Sequence, residues 1–191
     1  MCKSQVMSDT LILPEFETDL KKQLIEGEYF HTYCPRCKSK IRFYHTCIYA
    51  DKKHGFILLM KPKQEAKEAD HTLYHDDAYI KRYIFKEDEI SEKIAILEAG
   101  LDDRALEIIK IKLYMQRKDA DKIYFYDDDQ ISKSIWFCVQ TGDEKEMLAI
   151  TLESYQSIVN TLPKPKKDGF YAIDFTWALA YIKQTMKQSK R

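Results

Sequence analysis

The residues best able to do chemistry are three cysteines. Cys34 and Cys37 stand in Cys34-Pro35-Arg36-Cys37, a C-x-x-C turn that offers two sulfurs from one tight loop. Cys37-Lys38-Ser39-Lys40-Ile41 is echoed by Cys2-Lys3-Ser4-Gln5-Val6: a cysteine, Lys-Ser, a polar residue, then a β-branched one. Read as a repeat, the echo makes Cys2 the second cysteine of an earlier turn of the same kind. Its partner would lie upstream of Met1, and an in-frame Cys-Pro in the preceding DNA is the expectation. Zinc binding is the chemistry that uses such paired turns. Zn²⁺ takes four tetrahedral ligands, and thiolates suit it. Cys34, Cys37 and Cys2 are the expected ligands. Cys47, His31, His45, solvent or a neighbouring chain stand open as the fourth. Lys38 occupies the place where zinc knuckles often carry glycine, so that backbone N–H groups can turn toward the sulfurs. A thioredoxin-like redox site would need its C-x-x-C at a strand-to-helix junction. Here the motif falls between two strands.

The elements around the motif follow from apolar periodicity. Phe16, Leu20, Leu24 and Ile25 have helical spacing and stop at Gly27. Tyr29 to Tyr33 reads as a short strand leading into Cys34. Ile41, Phe43, His45, Cys47 and Tyr49 alternate with polar residues, a strand period. The turn at 51–55 ends on Gly55, and Phe56 to Met60 is the return strand. Residues 61–70 are charged, hold a proline and lack large apolar side chains, so they read as a linker. The stretch through Tyr74, Tyr79 and Tyr83 reads as a loop plus a short element. Helices follow at 88–98 and 103–116, the second with Asp102 as N-cap and Leu101 and Leu106 as a hydrophobic staple. Strands at 122–126, 134–140 and 147–151 form an antiparallel meander, with Asp127–Asp129 and residues 142–144 as turns. A short helix at 153–160 precedes a last one carrying Phe175, Leu179, Ile182 and Met186 on one face. Runs of strands and runs of helices without βαβ alternation mean α+β. The expected division is a CPxC hairpin unit at 1–61, a linker at 62–72 and a helical plus β-meander region at 73–191.

Composition bounds the function. The chain has 191 residues and is 45% hydrophobic, enough to bury a core. Lys+Arg and Asp+Glu balance at 31 each. That balance argues against general nucleic-acid or membrane affinity, which needs surplus positive charge. Leu11-Ile12-Leu13 is stopped by Pro14, too short for a signal peptide or a membrane span. Five cysteines without an export signal read as thiols or metal ligands in a cytoplasmic protein. No Rossmann fingerprint, P-loop or nucleophile elbow occurs.

The chain resembles the CpXC domain family, bacterial and archaeal proteins named for two CPxC motifs. The likeness rests on Cys34-Pro35-Arg36-Cys37, on the lead-in Leu24-Ile25-Glu26-Gly27-Glu28-Tyr29-Phe30 and on the hairpin that follows. Ile96-Leu97-Glu98-Ala99-Gly100-Leu101-Asp102-Asp103-Arg104 and the neighbourhoods of Gly169-Phe170-Tyr171 and Trp177 extend it. The resemblance implies a metal site and a fold but no activity. It also implies a first knuckle, of which this chain retains only Cys2.

Other candidates have plainer explanations. Cys47 and Cys138 sit in apolar strands and are expected in the core. His71, His75, Asp76 and Asp77 read as a polar loop, and Trp136 and Trp177 as core residues. Charge is uneven: Arg36, Lys38, Lys40, Arg42, Lys52 and Lys53 cluster near Phe43, Tyr44 and Tyr49, while acids dominate from Lys86 to Glu107. The cluster could touch single-stranded nucleic acid. The plainer reading docks the basic half on the acidic half, within or between chains. The expectation is therefore a non-enzymatic binding or assembly module with an incomplete structural zinc knuckle, acting on a protein partner or a second copy of itself, without a membrane role. A nucleic-acid-binding regulator is the alternative.

Overall fold

The computed structural model describes residues 8–68, 70 and 76–188; Cys2, His71 and His75 lie outside them. The fold is α+β, with one mixed and two antiparallel sheets. The chain divides into two units, one reaching Ile94 and including Pro165–Ala172, the other Ala95–Lys164 with residues from Ile173 onward. Residues 62–68 and 70, from the expected linker, lie inside the first unit.

The first unit is built on a four-stranded sheet ordered β1 (Leu11–Ile12), β4 (Cys47–Asp51), β5 (Phe56–Met60), β6 (Ile80–Ile84). All five residues of β5 are buried, as expected of a central strand covered on both faces. Ile57 and Leu59 pack with Phe170, which arrives on the returning segment. That segment runs beside β6, where Tyr83 N–H donates to the Tyr171 carbonyl at 3.1 Å. The β4–β5 turn is closed by Asp51, whose carboxylate accepts from His54 N–H at 2.9 Å, with Gly55 at φ 70°.

The motif sits on a separate two-stranded sheet. β2 (His31–Tyr33) pairs antiparallel with β3 (Lys40–Arg42), and α1 (Thr18–Ile25) precedes them. The strand expected through 41–49 is thus two strands in two sheets. The chain leaves β3 at Phe43 because Tyr44 turns inward and its hydroxyl donates to the Ile84 carbonyl at 2.7 Å. Period-two patterning runs on through such a break, so alternation alone does not reveal it.

The linker expectation is also corrected. Lys61 is nearly buried and its Nζ donates to Asp70 Oδ2 at 2.9 Å, while Lys63–Glu65 forms a 3₁₀ turn. The ambiguous stretch before Tyr83 contains β6, parallel to β5.

In the second unit, α3 (Asp103–Gln116) has the expected bounds, and Asp102 caps it by accepting from Arg104 N–H at 3.0 Å. Its apolar face packs on the meander β7 (Lys122–Asp129), β8 (Ser134–Thr141), β9 (Glu144–Thr151), where Ile135, Phe137 and Val139 point to one side. Asp127–Asp129 belong to β7 rather than to a turn. A register shift follows Phe125, and Asp129 then caps the turn by accepting from Ile131 and Ser132 N–H. α4 (Leu152–Val159) is capped by Thr151. In α5 (Phe175–Gln188) the buried contact with α3 is made by Ala178 against Ile108 and Ile111. Leu179 and Ile182 of the expected face pack against the same cluster, while Phe175 and Met186 at its ends are exposed. α2 (Ile90–Glu98) completes the element list. No helix among the described residues is long and apolar enough to cross a membrane.

Candidate metal centre

The β2–β3 connection holds Cys34 and Cys37 in one closed turn. Lys38 N–H donates to the Cys34 carbonyl at 2.9 Å, and Cys34 N–H donates to the Ser39 carbonyl at 2.9 Å. Lys38 adopts φ 59°. That is the left-handed region glycine enters freely and a lysine enters at a cost of about 1–2 kcal/mol. Lys133, in the β7–β8 turn, is left-handed as well, at φ 51°.

The two sulfurs differ in access. Cys34 is 2% exposed, whereas Cys37 is exposed and its Sγ lies 3.1 Å from Ser39 Oγ. The Ser39 contact was not anticipated. Its signal lay in the Cys-Lys-Ser echo, which repeats the serine as well as the cysteine.

Among the described residues, no His, Cys, Asp or Glu brings a third ligand atom into one group with these two sulfurs. The open candidates for a further ligand are engaged elsewhere. His31 Nδ1 faces the Gly27 carbonyl at 2.9 Å. His45 presents Nδ1 to the Phe43 carbonyl and Nε2 to the Asp9 carbonyl, each at 3.2 Å. Cys47 is in the core, and burial pushes its thiol up to about 12. Cys138 is also in the core; Trp136 and Trp177 are half-buried. The donor set thus fits the start of a thiolate-rich zinc site, two sulfurs from one turn, and leaves the remaining positions to groups outside the described residues.

The chain entering β1 passes the base of this hairpin. The Asp9 carbonyl accepts from the Tyr29 hydroxyl at 2.5 Å, and Thr10 O accepts from Ile48 N–H at 2.8 Å. Burial, with smaller effects of Cys47 and Asp9, raises the Tyr29 phenol above its ordinary range, so it stays a donor. Ser8, Asp9, Tyr29, Thr32, Phe43 and His45 border one cavity of about 140 Å³. The segment leading back toward Cys2 therefore starts beside the hairpin.

The basic residues do not form one surface. Lys40 pairs with Glu28 at 3.0 Å and Arg42 with Glu87 at 2.7 Å. The Lys40 hydrogen bond holds the Glu28 carboxyl below its usual range. Arg36 and Lys38 lie on the knuckle turn, and Lys52 and Lys53 on the β4–β5 turn of another sheet. Among the described residues none of these four makes an ion pair. Tyr49 is fully buried and Tyr44 is tied to Ile84, so of the three aromatics only Phe43, 58% exposed, faces solvent. Asp76 accepts from Ala78 N–H, a turn contact.

No curated protein and no solved structure matches this chain. A family model does, that of the CpXC protein, over residues 2–110. The match spans more than half of the chain and takes in Cys2, the Cys34–Cys37 turn and both strands that carry it. On that match, the chain belongs to the CpXC family.

Proposed function

We propose that this protein is a non-enzymatic binding or assembly module whose β2–β3 hairpin is a structural zinc knuckle, with Cys34 and Cys37 as ligands and Cys2 as a third. The observation that carries the reading is the closed turn itself, which holds Cys34 and Cys37 together through the Lys38 N–H to Cys34 carbonyl bond and the Cys34 N–H to Ser39 carbonyl bond, each 2.9 Å. Two thiols offered from one tight loop are half of the ligand set of a zinc knuckle. The position of Ser8 supports the role of Cys2. Six residue steps reach at most roughly 20 Å, and Cys34 is two residues beyond Thr32, which borders the same cavity as Ser8. A bound ion would cross-link segments that bury little surface of their own. Thiols used this way stay reduced in the cytoplasm, the compartment the reading implies. The partner would be another protein or a second copy of the chain.

Zinc content of the purified full-length protein tests this. Zinc below one ion per chain is expected in the wild type, falling to background in Cys34→Ser and Cys37→Ser. A wild-type protein from zinc-supplemented culture with no metal above background would end the reading.

A second reading, a nucleic-acid-binding regulator, draws on Arg36, Lys38, Lys52 and Lys53, the four cations without an ion pair among the described residues. Tyr33 and Phe43 are exposed beside the knuckle, but the division of these cations between two turns in separate sheets makes it the weaker reading.

A further inference from the structure

The two thiols of the turn are placed for a sequence of events that metal binding does not need. Cys37 is exposed, Cys34 is 2% exposed, and the other described cysteines, Cys47 and Cys138, are 1% and 2% exposed. Only Cys37, of these four, can meet a bulky reagent without unfolding. Ser39 Oγ lies within hydrogen-bond reach of its sulfur. Cys34 waits one closed turn away. The Lys38 N–H to Cys34 carbonyl bond closes the chain over five residues, and two cysteines with two residues between them have the spacing that dithiol–disulfide pairs use.

We propose that Cys37 is a site of S-thiolation by low-molecular-weight disulfides, and that Cys34 resolves the adduct to a Cys34–Cys37 disulfide. In the first step the Cys37 sulfur, its proton released to solvent, attacks one sulfur of RSSR. The S–S bond of the reagent breaks, and RS⁻ leaves with the electron pair and takes a proton from water. In the second step the Cys34 sulfur, likewise deprotonated, attacks the Cys37 sulfur of the mixed disulfide and displaces the second RS⁻. Two protein thiols are oxidised and one small disulfide is reduced to two thiols. The oxidised turn has no free sulfur to offer an ion, so thiolation and metal compete for the same pair. That competition rests on the zinc reading; the thiolation does not.

The test uses full-length protein carrying Cys2→Ser, stripped of metal, treated with oxidised glutathione, quenched by alkylation and analysed by intact mass and peptide mapping. The expected result is a Cys34–Cys37 disulfide, preceded in the time course by glutathione on Cys37 alone. Cys34→Ser should trap one stable adduct on Cys37, and Cys37→Ser should react at neither position. First-formed adducts on Cys34, Cys47 or Cys138, or no reaction of Cys37, overturn the proposal. Because the parent protein's time course gives the order directly, misfolding of a variant cannot rescue or sink it. Prior addition of zinc should protect Cys37. Thiolation that proceeds equally with zinc present leaves the site standing and removes the zinc reading instead.

Discussion

Lys61 and Asp70, nine positions apart, are joined as a nearly buried ion pair with Nζ to Oδ2 at 2.9 Å. Burial alone would push the Asp70 carboxyl up, but hydrogen bonds from Lys61, Lys67 N–H and Tyr83 bring it below its usual range. Asp70→Asn should cost about 3–5 kcal/mol, because it leaves a buried ammonium without its counter-charge. Lys61→Met with Asp70→Asn should recover much of that. The pH dependence follows from the depressed folded value. The pair's contribution is complete above the unfolded carboxyl value and is lost as pH falls through the folded one, below about pH 4. Urea unfolding of the three proteins at pH 7 and pH 3 checks this. Equal stability of wild type and Asp70→Asn would contradict it.

Lys38→Gly should be stabilising or neutral. Relief of left-handed strain is worth about 1–2 kcal/mol, offset by about 0.4–1 kcal/mol of added unfolded-state entropy. Lys38→Val, β-branched at φ 59°, should be destabilising by more than the glycine gains. Chemical denaturation of the pair in metal-free buffer decides. A valine variant as stable as the glycine one would mean the turn does not hold this conformation.

Asp102→Ala removes the α3 cap and also both carboxylate oxygens that Arg104 engages, Nε to Oδ1 at 3.0 Å and Nη2 to Oδ2 at 2.6 Å. A loss of about 1–2 kcal/mol is expected from the cap, with Asp102→Asn intermediate. Thermal unfolding followed at the helical signal measures it. No change would show that Arg104, through its bond to the Pro163 carbonyl at 2.7 Å, holds the helix start alone.

Much of this was legible in the residues. Asp102 and the periodicity after it located α3 because cap and apolar stripe agree. Gly55 and the unbroken Phe56–Met60 run located the hairpin and its buried strand. The core positions of Cys47 and Cys138 followed from their apolar neighbours. β6 was legible only as a short element of unassigned type, because Ile80-Lys81-Arg82-Tyr83-Ile84 carries two adjacent charges where a buried strand would be apolar. In fact Lys81 and Arg82 are buried, with Lys81 Nζ bonded to the Lys167 carbonyl at 2.9 Å. That partner lies 86 positions away, beyond any local signal. The charged run from Lys61 misled for a related reason, since its lysine is paired rather than solvated. At the site, the motif was plain, but the left-handed Lys38 was not, because glycine is the residue that normally announces it.

Lys52→Glu with Lys53→Glu separates the two functional readings. The expected result is that neither wild type nor variant binds a single-stranded oligonucleotide measurably at physiological salt. Salt-dependent binding by the wild type that the variant loses would favour the nucleic-acid reading.

X-ray absorption at the zinc edge tests the ligand assignment most directly. Protein loaded with limiting zinc should show a shell of three sulfurs at about 2.3 Å. Cys2→Ser should reduce it to two, while Cys47→Ser leaves it unchanged. A zinc environment of only oxygen and nitrogen, or a sulfur count that Cys2→Ser does not alter, would contradict the three-thiol knuckle.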